Sequence, residues 1–184
     1  ENISGNQYAT ALNEQMTITI KNEFGPYLYP NQYINFTAQS QVVNQAQTLA
    51  ASADSDVDVV TNVYNYIIDN ITYDYDKAEN VTSGYLPDVD AVLSSKKGIC
   101  FDYAAVMTAM LRSQRIPTRL EVGYMGDVYH AWISIYTKET GWVNGIIKFD
   151  GKSWELMDPT FASTSKSPKN FTSENSKYTT KYVY

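Results

Sequence analysis

The sequence predicts an α+β fold, in which helices come first along the chain and a run of strands follows. Two observations carry this prediction. Residues 41–111 contain segments whose apolar residues recur every three or four positions, as they do in amphipathic helices. Residues 119–158 instead contain segments in which apolar and polar residues alternate, as they do in the strands of an antiparallel sheet.

The composition fits a globular protein and excludes some classes of partner. The chain has 184 residues, of which 43% are hydrophobic and 18% are charged. Its net charge of −6 argues against nucleic acid as a partner, because phosphate binding needs a basic surface. No apolar stretch approaches the roughly 20 residues of a membrane span, so membrane insertion is not expected. The chain opens on Glu1, so we interpret it as a mature form or a cut segment, and a lost leader stays open.

Three helices are predicted ahead of the single cysteine. In residues 41–51 the apolar positions recur at helical spacing. A longer helix begins at Ser55 or Asp56, either of which can cap it. Its apolar stripe comprises Val57, Val60, Val63, Tyr64, Ile67, Ile68 and Ile71. A short helix in "GYLPDVDAVLSSKKG" has Pro87 near its start and Gly98 just beyond its end.

Alternating segments predict the strands. "MTITI", at Met16–Ile20, is expected to form a strand near the beginning of the chain. "RLEVGYM", "VYHAWISIY" and "KSWELMD" are expected to form the antiparallel sheet, with turns at Asn144–Gly145 and Asp150–Gly151. The polar tail from Ser163 is predicted to be a loop, and "KYVY" is a candidate closing strand.

We expect a single domain, 1–184, with three parts. Residues 1–41 form an N-terminal extension with one or more strands. Residues 42–161 form the core, and residues 162–184 form a C-terminal tail. The oligomeric state cannot be inferred from these patterns.

Cys100 is the only cysteine, and it lies at the predicted first turn of a helix. A helix N-terminus presents unpaired N–H groups and a partial positive charge, which favour a thiolate and can hold an oxyanion. Asp102 opposes this effect, because a nearby carboxylate raises the pKa of a thiol unless it points away. A lone cysteine on an apolar helix is more often a buried hydrophobe, so both roles stay open.

His130 is the only histidine, and it lies in the predicted strand "VYHAWISIY". Alternation places it on one face with Val128, Trp132 and Ser134. A lone histidine on a strand is more often structural than catalytic. However, a nucleophilic cysteine needs a base within hydrogen-bond reach, and histidine titrates near neutrality. Cys100 and His130 are therefore a candidate catalytic pair.

Asp158 is the candidate orienting acid, at the end of the strand in "WELMDPTF". If this strand neighbours the one that carries His130, the carboxylate can hold the second imidazole nitrogen. The alternative is that Asp158–Pro159 is a turn that ends the strand.

Three segments together resemble the transglutaminase-like superfamily: "GICFDYAAVMTAMLRSQRIPTRLEVGY", "YHAWISIY" and "WELMDPTF". The resemblance extends over about Val42 to Phe161 and includes "VTNVYNYIIDNITYDYD" ahead of the cysteine. It implies that Cys100 is the nucleophile, His130 the general base and then acid, and Asp158 the orienting carboxylate. It also implies a papain-like α+β fold in which the cysteine helix packs on an antiparallel sheet. The long segment between His130 and Asp158 departs from many relatives and is expected to form an extra hairpin near the site.

The function that the resemblance implies is cysteine-dependent acyl transfer on peptide or protein amides through a thioester. Hydrolysis and transfer to an amine both stay open. Cell-wall peptide is one candidate substrate, and we expect a secreted or cell-surface bacterial protein. The alternative is a non-catalytic peptide-binding or cell-surface interaction module with a tyrosine-rich groove, since the chain has 16 tyrosines.

No cofactor and no metal site are expected. "DSDVD" (Asp54, Asp56, Asp58) resembles the start of a calcium loop, but Val59 replaces the required glycine and Asn65 the required glutamate. Two further residues have two interpretations each. Tyr73 is either an oxyanion donor or a packing residue, and Trp132 is either a wall of the cleft or part of the core.

Overall fold

The structure is a computed structural model of the 184-residue chain. The residues that it describes are 2–5, 7–10, 12, 14–17, 19–138, 140–144, 147–149, 154–156 and 178–184. Among these residues, no helix has both the length and the apolar character needed to span a bilayer.

Five helices occupy the first part of the described chain, as the α+β prediction expects. They are α1 (Gln41–Ala50), α2 (Asp56–Asn70), α3 (Tyr75–Asn80), α4 (Val89–Ser95) and α5 (Cys100–Ser113). The predicted cap of α2 is confirmed, because the Ser55 hydroxyl accepts the N–H of Asp58 at 3.2 Å. A short 3-10 helix, Gly25–Tyr27, precedes α1.

Ten strands are described, and most of them follow α5. Two of them, β1 (Asn2–Ser4) and β2 (Gln7–Tyr8), form a hairpin at the N-terminus, and β3 (Thr72–Tyr73) and β4 (Lys97–Gly98) form a short parallel pair. The remaining strands are β5 (Thr118–Met125), β6 (Val128–Thr137), β7 (Gly141–Val143), β8 (Ile147–Phe149), β9 (Trp154–Leu156) and β10 (Tyr178–Val183).

The main sheet has four antiparallel strands in the order β10-β5-β6-β7. The register of β5 and β6 places Gly123 opposite His130 and Leu120 opposite Ile133. β10 is irregular between Thr180 and Tyr182. This strand confirms the candidate closing strand "KYVY", because it pairs along β5. β8 and β9 form a separate antiparallel pair, which confirms the extra hairpin predicted after His130.

Helix α5 lies at the centre of the core. Every residue from Asp102 to Arg112 is buried, and the helix contacts α1, α2 and α4 as well as β5 and β6. Leu120 on β5 and Ile133 on β6 belong to the same buried cluster as the apolar residues of α5. A helix that is buried on all sides needs little amphipathic pattern, and its residues are accordingly apolar almost all round.

The buried Arg112 ties distant parts of the chain to α5. Its guanidinium donates to the carbonyl of Thr118 from Nε and Nη2, at 3.0 and 2.8 Å. It also donates to the carbonyls of Tyr29 and Tyr184, each at 2.7 Å. One side chain therefore joins the N-terminal segment, α5, the start of β5 and the residue that follows β10.

Three sequence-based expectations were wrong, and one helix was missed. The strand predicted from "KSWELMD" does not join the main sheet, because β9 pairs with β8 instead. The described residues of Met16–Ile20 form no strand, and Met16 and Ile20 are exposed; alternation alone gives no stable strand without a partner. Gly98 does not end α4: the left-handed residue there is Lys96 (φ 55°), while Gly98 lies in β4. The missed helix is α3, which is too short to show a hydrophobic period. Of the two predicted turns, Asn144 is described, whereas Gly145 and the whole of Asp150–Gly151 lie outside the described residues.

Candidate active site

Cys100 is the first residue of α5, as the sequence predicts, and it is half-buried. The preceding residue, Ile99, has extended backbone geometry. The carboxylate of Asp102 accepts the Ile99 N–H at 2.9 Å, so a side chain inside the first turn satisfies a donor at the helix start.

The short β3–β4 pair fixes the chain immediately before Cys100. The N–H of Thr72 donates to the carbonyl of Lys96 at 2.9 Å, and the N–H of Asp74 donates to the carbonyl of Gly98 at 3.0 Å. A side chain at residue 98 would place its Cβ 2.7 Å from the Cβ of Asp102. The Gly-x-Cys spacing therefore reflects close packing of Gly98 against the first turn of α5.

Asp102 is fully buried but not isolated. Its carboxylate accepts hydrogen bonds from the ammonium of Lys77, at 2.7 Å, and from the hydroxyl of Tyr85. From the sequence alone, the Asp102 carboxylate is expected to oppose a thiolate at Cys100. The structure shows that a cation on α3 is paired with this carboxylate. Sequence reasoning missed Lys77 because the helix that carries it was not predicted.

His130 lies on β6, and only 4% of its surface is exposed. Its ring stacks on Trp132, with centroids 6.4 Å apart and an interplanar angle of 26°. Its partner across the strands is Gly123, where a Cβ would lie 2.0 Å from the carbonyl oxygen of Thr179 on β10. Glycine is therefore required at residue 123 by the close approach of β10.

Cys100 and His130 line the same cavity, which has a volume of about 750 Å³. Five tyrosines also line it: Tyr33, Tyr73, Tyr85, Tyr129 and Tyr184. None of the described lining residues has a carboxylate or an ammonium group in its side chain. The structure thus brings two of the three predicted catalytic residues to one cavity that is rich in tyrosine.

Besides Tyr85, whose pKa is raised by burial and by its hydrogen bond to Asp102, two further tyrosines of this cavity have raised pKa values. Burial raises the pKa of Tyr129, and the neighbouring Tyr182, Tyr124 and Cys100 add to this effect. Burial and a hydrogen bond to Tyr33 raise the pKa of Tyr184 to about 12. Both hydroxyls are therefore neutral at physiological pH and can donate hydrogen bonds to a ligand.

Asp158, the predicted orienting acid, lies outside the described residues, as do Pro159 and the neighbouring residues 157–177. The strand that precedes it, β9, pairs with β8. The neighbours of β6 in the main sheet are β5 and β7, so β9 does not pair directly with the strand of His130.

Tyr73 and Trp132, for which the sequence allows two roles each, differ in their position relative to the cavity. Tyr73 lines the cavity and packs edge-on against Tyr75, with ring centroids 5.0 Å apart. Trp132 is buried, packs against Tyr178 at 4.9 Å and is not among the described residues that line the cavity. Trp132 is therefore a buried packing residue between His130 and Tyr178 rather than a wall of the cavity, and it lies outside the described core cluster. The described residues contain no group of three His, Cys, Asp or Glu side chains that could hold a metal ion.

The fold and this cavity define a class of protein: an α+β protein whose single cysteine begins a buried helix beside a sheet that carries its single histidine. Comparison with known proteins identifies the family. The profile of the transglutaminase-like superfamily matches residues 43–145, which include both Cys100 and His130. The chain belongs to the transglutaminase-like superfamily.

Two curated relatives share part of their length with this chain. The uncharacterized protein YebA of Bacillus subtilis is 26% identical over 90% of this chain and 24% of its own length. The UPF0252 protein MJ1282 of Methanocaldococcus jannaschii is 29% identical over 46% of this chain and 27% of its own length. The chain thus spans about a quarter of the length of these relatives.

Two solved structures share the fold. A proposed cysteine protease from Cytophaga hutchinsonii has a TM-score of 0.54 and 20% identity, over 77% of this chain and 43% of that one. The periplasmic domain of TgpA from Pseudomonas aeruginosa has a TM-score of 0.52 and 19% identity, over 71% of this chain and 46% of that one. These similarities confirm the predicted papain-like α+β architecture.

Proposed function

We propose that this protein is a cysteine-dependent acyl-transfer enzyme that acts on peptide or protein amide bonds. The observation that carries the proposal is the cavity shared by Cys100, at the start of α5, and His130, on β6. Membership of the transglutaminase-like superfamily supports it, since the matched region contains both residues.

In the proposed reaction the Cys100 thiolate attacks the amide carbonyl carbon, and a C–S bond forms. The N–H groups at the start of α5 stabilise the oxyanion. The C–N bond then breaks, and the amine leaves with a proton from His130. Water or a primary amine attacks the thioester, gives its proton to His130 and releases the acyl group from the sulfur. Asp158 is the proposed orienting carboxylate for the imidazole.

The cavity supports a peptide substrate. Tyrosine rings offer apolar area for side chains, and their hydroxyls can bond peptide groups. A volume of about 750 Å³ lies within the range of small-molecule and short-peptide sites. Cell-wall peptide is one candidate within this class.

Incubation with a labelled primary amine and a glutamine-containing protein tests the proposal. Amine incorporation would indicate transfer, whereas release of ammonia or of a new N-terminus would indicate hydrolysis. Cys100→Ser should abolish both amine incorporation and hydrolysis. Ser94→Ala is the control, because Ser94 is not among the described residues that line the cavity, and it should retain the activity. Equal product from wild type and Cys100→Ser would contradict the proposal.

A second candidate function is a non-catalytic peptide-binding or cell-surface interaction module. The five tyrosines of the cavity favour it, because such rings bind peptides without chemistry. A binder would leave a bound peptide intact. Cys100→Ser would then bind the same peptide as tightly as the wild type, and neither protein would turn the peptide over.

We also propose a secreted or cell-surface location. The similarity in fold to the periplasmic domain of TgpA supports this location. Fractionation of cells that produce the protein at native level tests it, and recovery with cytoplasmic markers alone would contradict it.

A further inference from the structure

A closed polar network lies at the start of α5, next to Cys100. Asp102 accepts from Lys77 Nζ at 2.7 Å and from the hydroxyl of Tyr85, and the same ammonium donates to the Tyr85 oxygen at 2.6 Å. Asp102 is fully buried, while 26% of the Lys77 side chain is exposed. The network therefore has a buried negative end and a cation that closes it from the solvent side.

The chain builds this network through the segment that aligns Cys100. The backbone N–H of Asp74 bonds the Gly98 carbonyl, which ties the start of α3 to the residues before Cys100. The Asp74 side chain then caps α3 by accepting the N–H of Lys77 at 3.0 Å. The position of Lys77 is thus set by the same strand pair that leads into α5.

The charge on Asp102 matters because of its closeness to the thiol in sequence. It lies two residues after Cys100 in the same helical turn, where an unbalanced carboxylate would oppose a thiolate. The titratable groups that line the cavity around Cys100 are His130 and the tyrosines, and none of the described lining residues has a side chain with a fixed charge. At the start of α5 the Asp102 carboxylate bonds the Ile99 N–H, and its cationic partner is Lys77.

We propose that Lys77 is a positioning residue for the reaction, and that its pairing with Asp102 leaves the start of α5 electropositive toward Cys100. The inference rests on the proposed function, because it concerns the activation of the same thiol. Tyr85 has two roles in this arrangement, since its side chain lines the cavity and its hydroxyl bonds to the ion pair.

The electrostatics of Lys77 agree with this role. Burial lowers the pKa of Lys77, but hydrogen bonds to Asp102 and Tyr85 outweigh it and raise the pKa above 10.5. Lys77 is therefore a cation throughout the pH range in which a thiol titrates.

Opposite single substitutions test the inference. The rate of Cys100 alkylation by iodoacetamide is measured from pH 5 to 10 for each variant, which gives the thiol pKa. K77M leaves Asp102 unbalanced and should raise the thiol pKa by about one unit, whereas D102N leaves Lys77 unbalanced and should lower it. The double variant K77M/D102N should return it toward the wild-type value.

Two further variants serve as controls. K77R keeps the cation and should keep the wild-type profile. K97M removes an exposed lysine three residues before Cys100 that has no bond to Asp102, and it should also keep the profile. Circular dichroism of every variant verifies folding. If K77M alone unfolds, the thiol pKa of D102N is compared with that of the double variant K77M/D102N instead.

Shifts of the two single variants in the same direction, or no shift in either, would overturn the inference, because a structural defect cannot produce opposite signs. The thiol pKa of the wild-type protein tests the proposed function and not the role of Lys77. A wild-type thiol pKa near 8.5 would count against the proposed enzyme, while the opposite shifts would still support the role of Lys77.

Discussion

Arg112 shows how a single buried charge can hold a fold together without a carboxylate partner. The described structure gives its guanidinium only backbone carbonyls, those of Thr118, Tyr29 and Tyr184. Burial lowers its pKa to about 10, so the side chain keeps its charge at neutral pH. Hydrogen bonds from a charged donor are stronger than neutral ones, which favours arginine here over an apolar residue.

Arg112→Met should lower the free energy of unfolding by about 2–4 kcal/mol, because it leaves buried carbonyls without their charged donor. Urea denaturation followed by circular dichroism gives the value. The matched control is Arg115→Met, at an exposed residue one turn away, which should cost less than about 1 kcal/mol. Equal effects of the two substitutions would show that the buried hydrogen bonds contribute little.

Gly98 is the residue on which the position of Cys100 depends most closely. Gly98→Ala should lower stability by about 1–3 kcal/mol and slow alkylation of Cys100, since the new Cβ would collide with Asp102. Gly25→Ala is the control, because its Cβ would meet only Asn22, at an ordinary 4.0 Å. An alanine at residue 98 that alters neither stability nor alkylation would contradict this packing argument.

At the scale of elements, the sequence predicted those segments whose burial follows a regular period. The stripe of α2 is of this kind, and the structure confirms it. β5 and β6 form where the alternation predicts strands, but their central residues, 120–123 and 130–135, are all buried and show no period of two. α3 has no regular period either. It depends on its Asp74 cap and on the contact of Lys77 with Asp102, a residue far along the chain. The pairing of β10 with β5 also joins residues about 60 apart, and no local pattern specifies such a partner.

The residues of the candidate site also differ in whether a local sequence pattern indicates them. The motifs around Cys100 and His130 indicated both residues, and the structure places both on one cavity. The pairing of Asp102 with Lys77 was not predicted, because it depends on how α3 packs against α5. The predicted role of Asp158 stays a prediction, since that residue lies outside the described chain.

The attachment of β10 to the sheet has its own polar contact. The buried Glu121 carboxylate accepts hydrogen bonds from the Ser134 hydroxyl on β6 and, at 2.7 Å, from Thr180 on β10. Thr180→Val keeps the shape and removes the donor, so it should cost about 1–3 kcal/mol and speed amide exchange along β10. Thr179 is the neighbouring residue of the same strand and is exposed like Thr180, and Thr179→Val should leave exchange unchanged because it keeps the bond to Glu121. Faster exchange in the control than in Thr180→Val would argue against this role of Glu121.

At the scale of the whole molecule, stability should fall at alkaline pH. The pKa values of Lys77, Tyr85 and Tyr184 are all raised in the folded state. For Tyr85 the causes are burial and then its hydrogen bond to Asp102. The folded protein therefore holds more protons than the unfolded chain above about pH 10, so unfolding becomes easier as pH rises.

The free energy of unfolding should thus be flat from pH 7 to 9 with respect to these groups and decline between about pH 10 and 12. Denaturant titrations at each pH measure the decline, and Tyr184→Phe should make it shallower. A stability that rises across this interval would contradict the assigned directions.

The similarity in fold to the two solved structures extends over most of the chain, at an identity near 20%. The central claim is that the only sulfhydryl and the only imidazole act together. Alkylation of Cys100 across pH, in wild type and His130→Ala, measures this coupling directly. If His130 activates Cys100, the wild type is labelled rapidly well below pH 8, and His130→Ala returns to an ordinary thiol profile near pH 8.5. Identical profiles for the two proteins, both centred near pH 8.5, would contradict it.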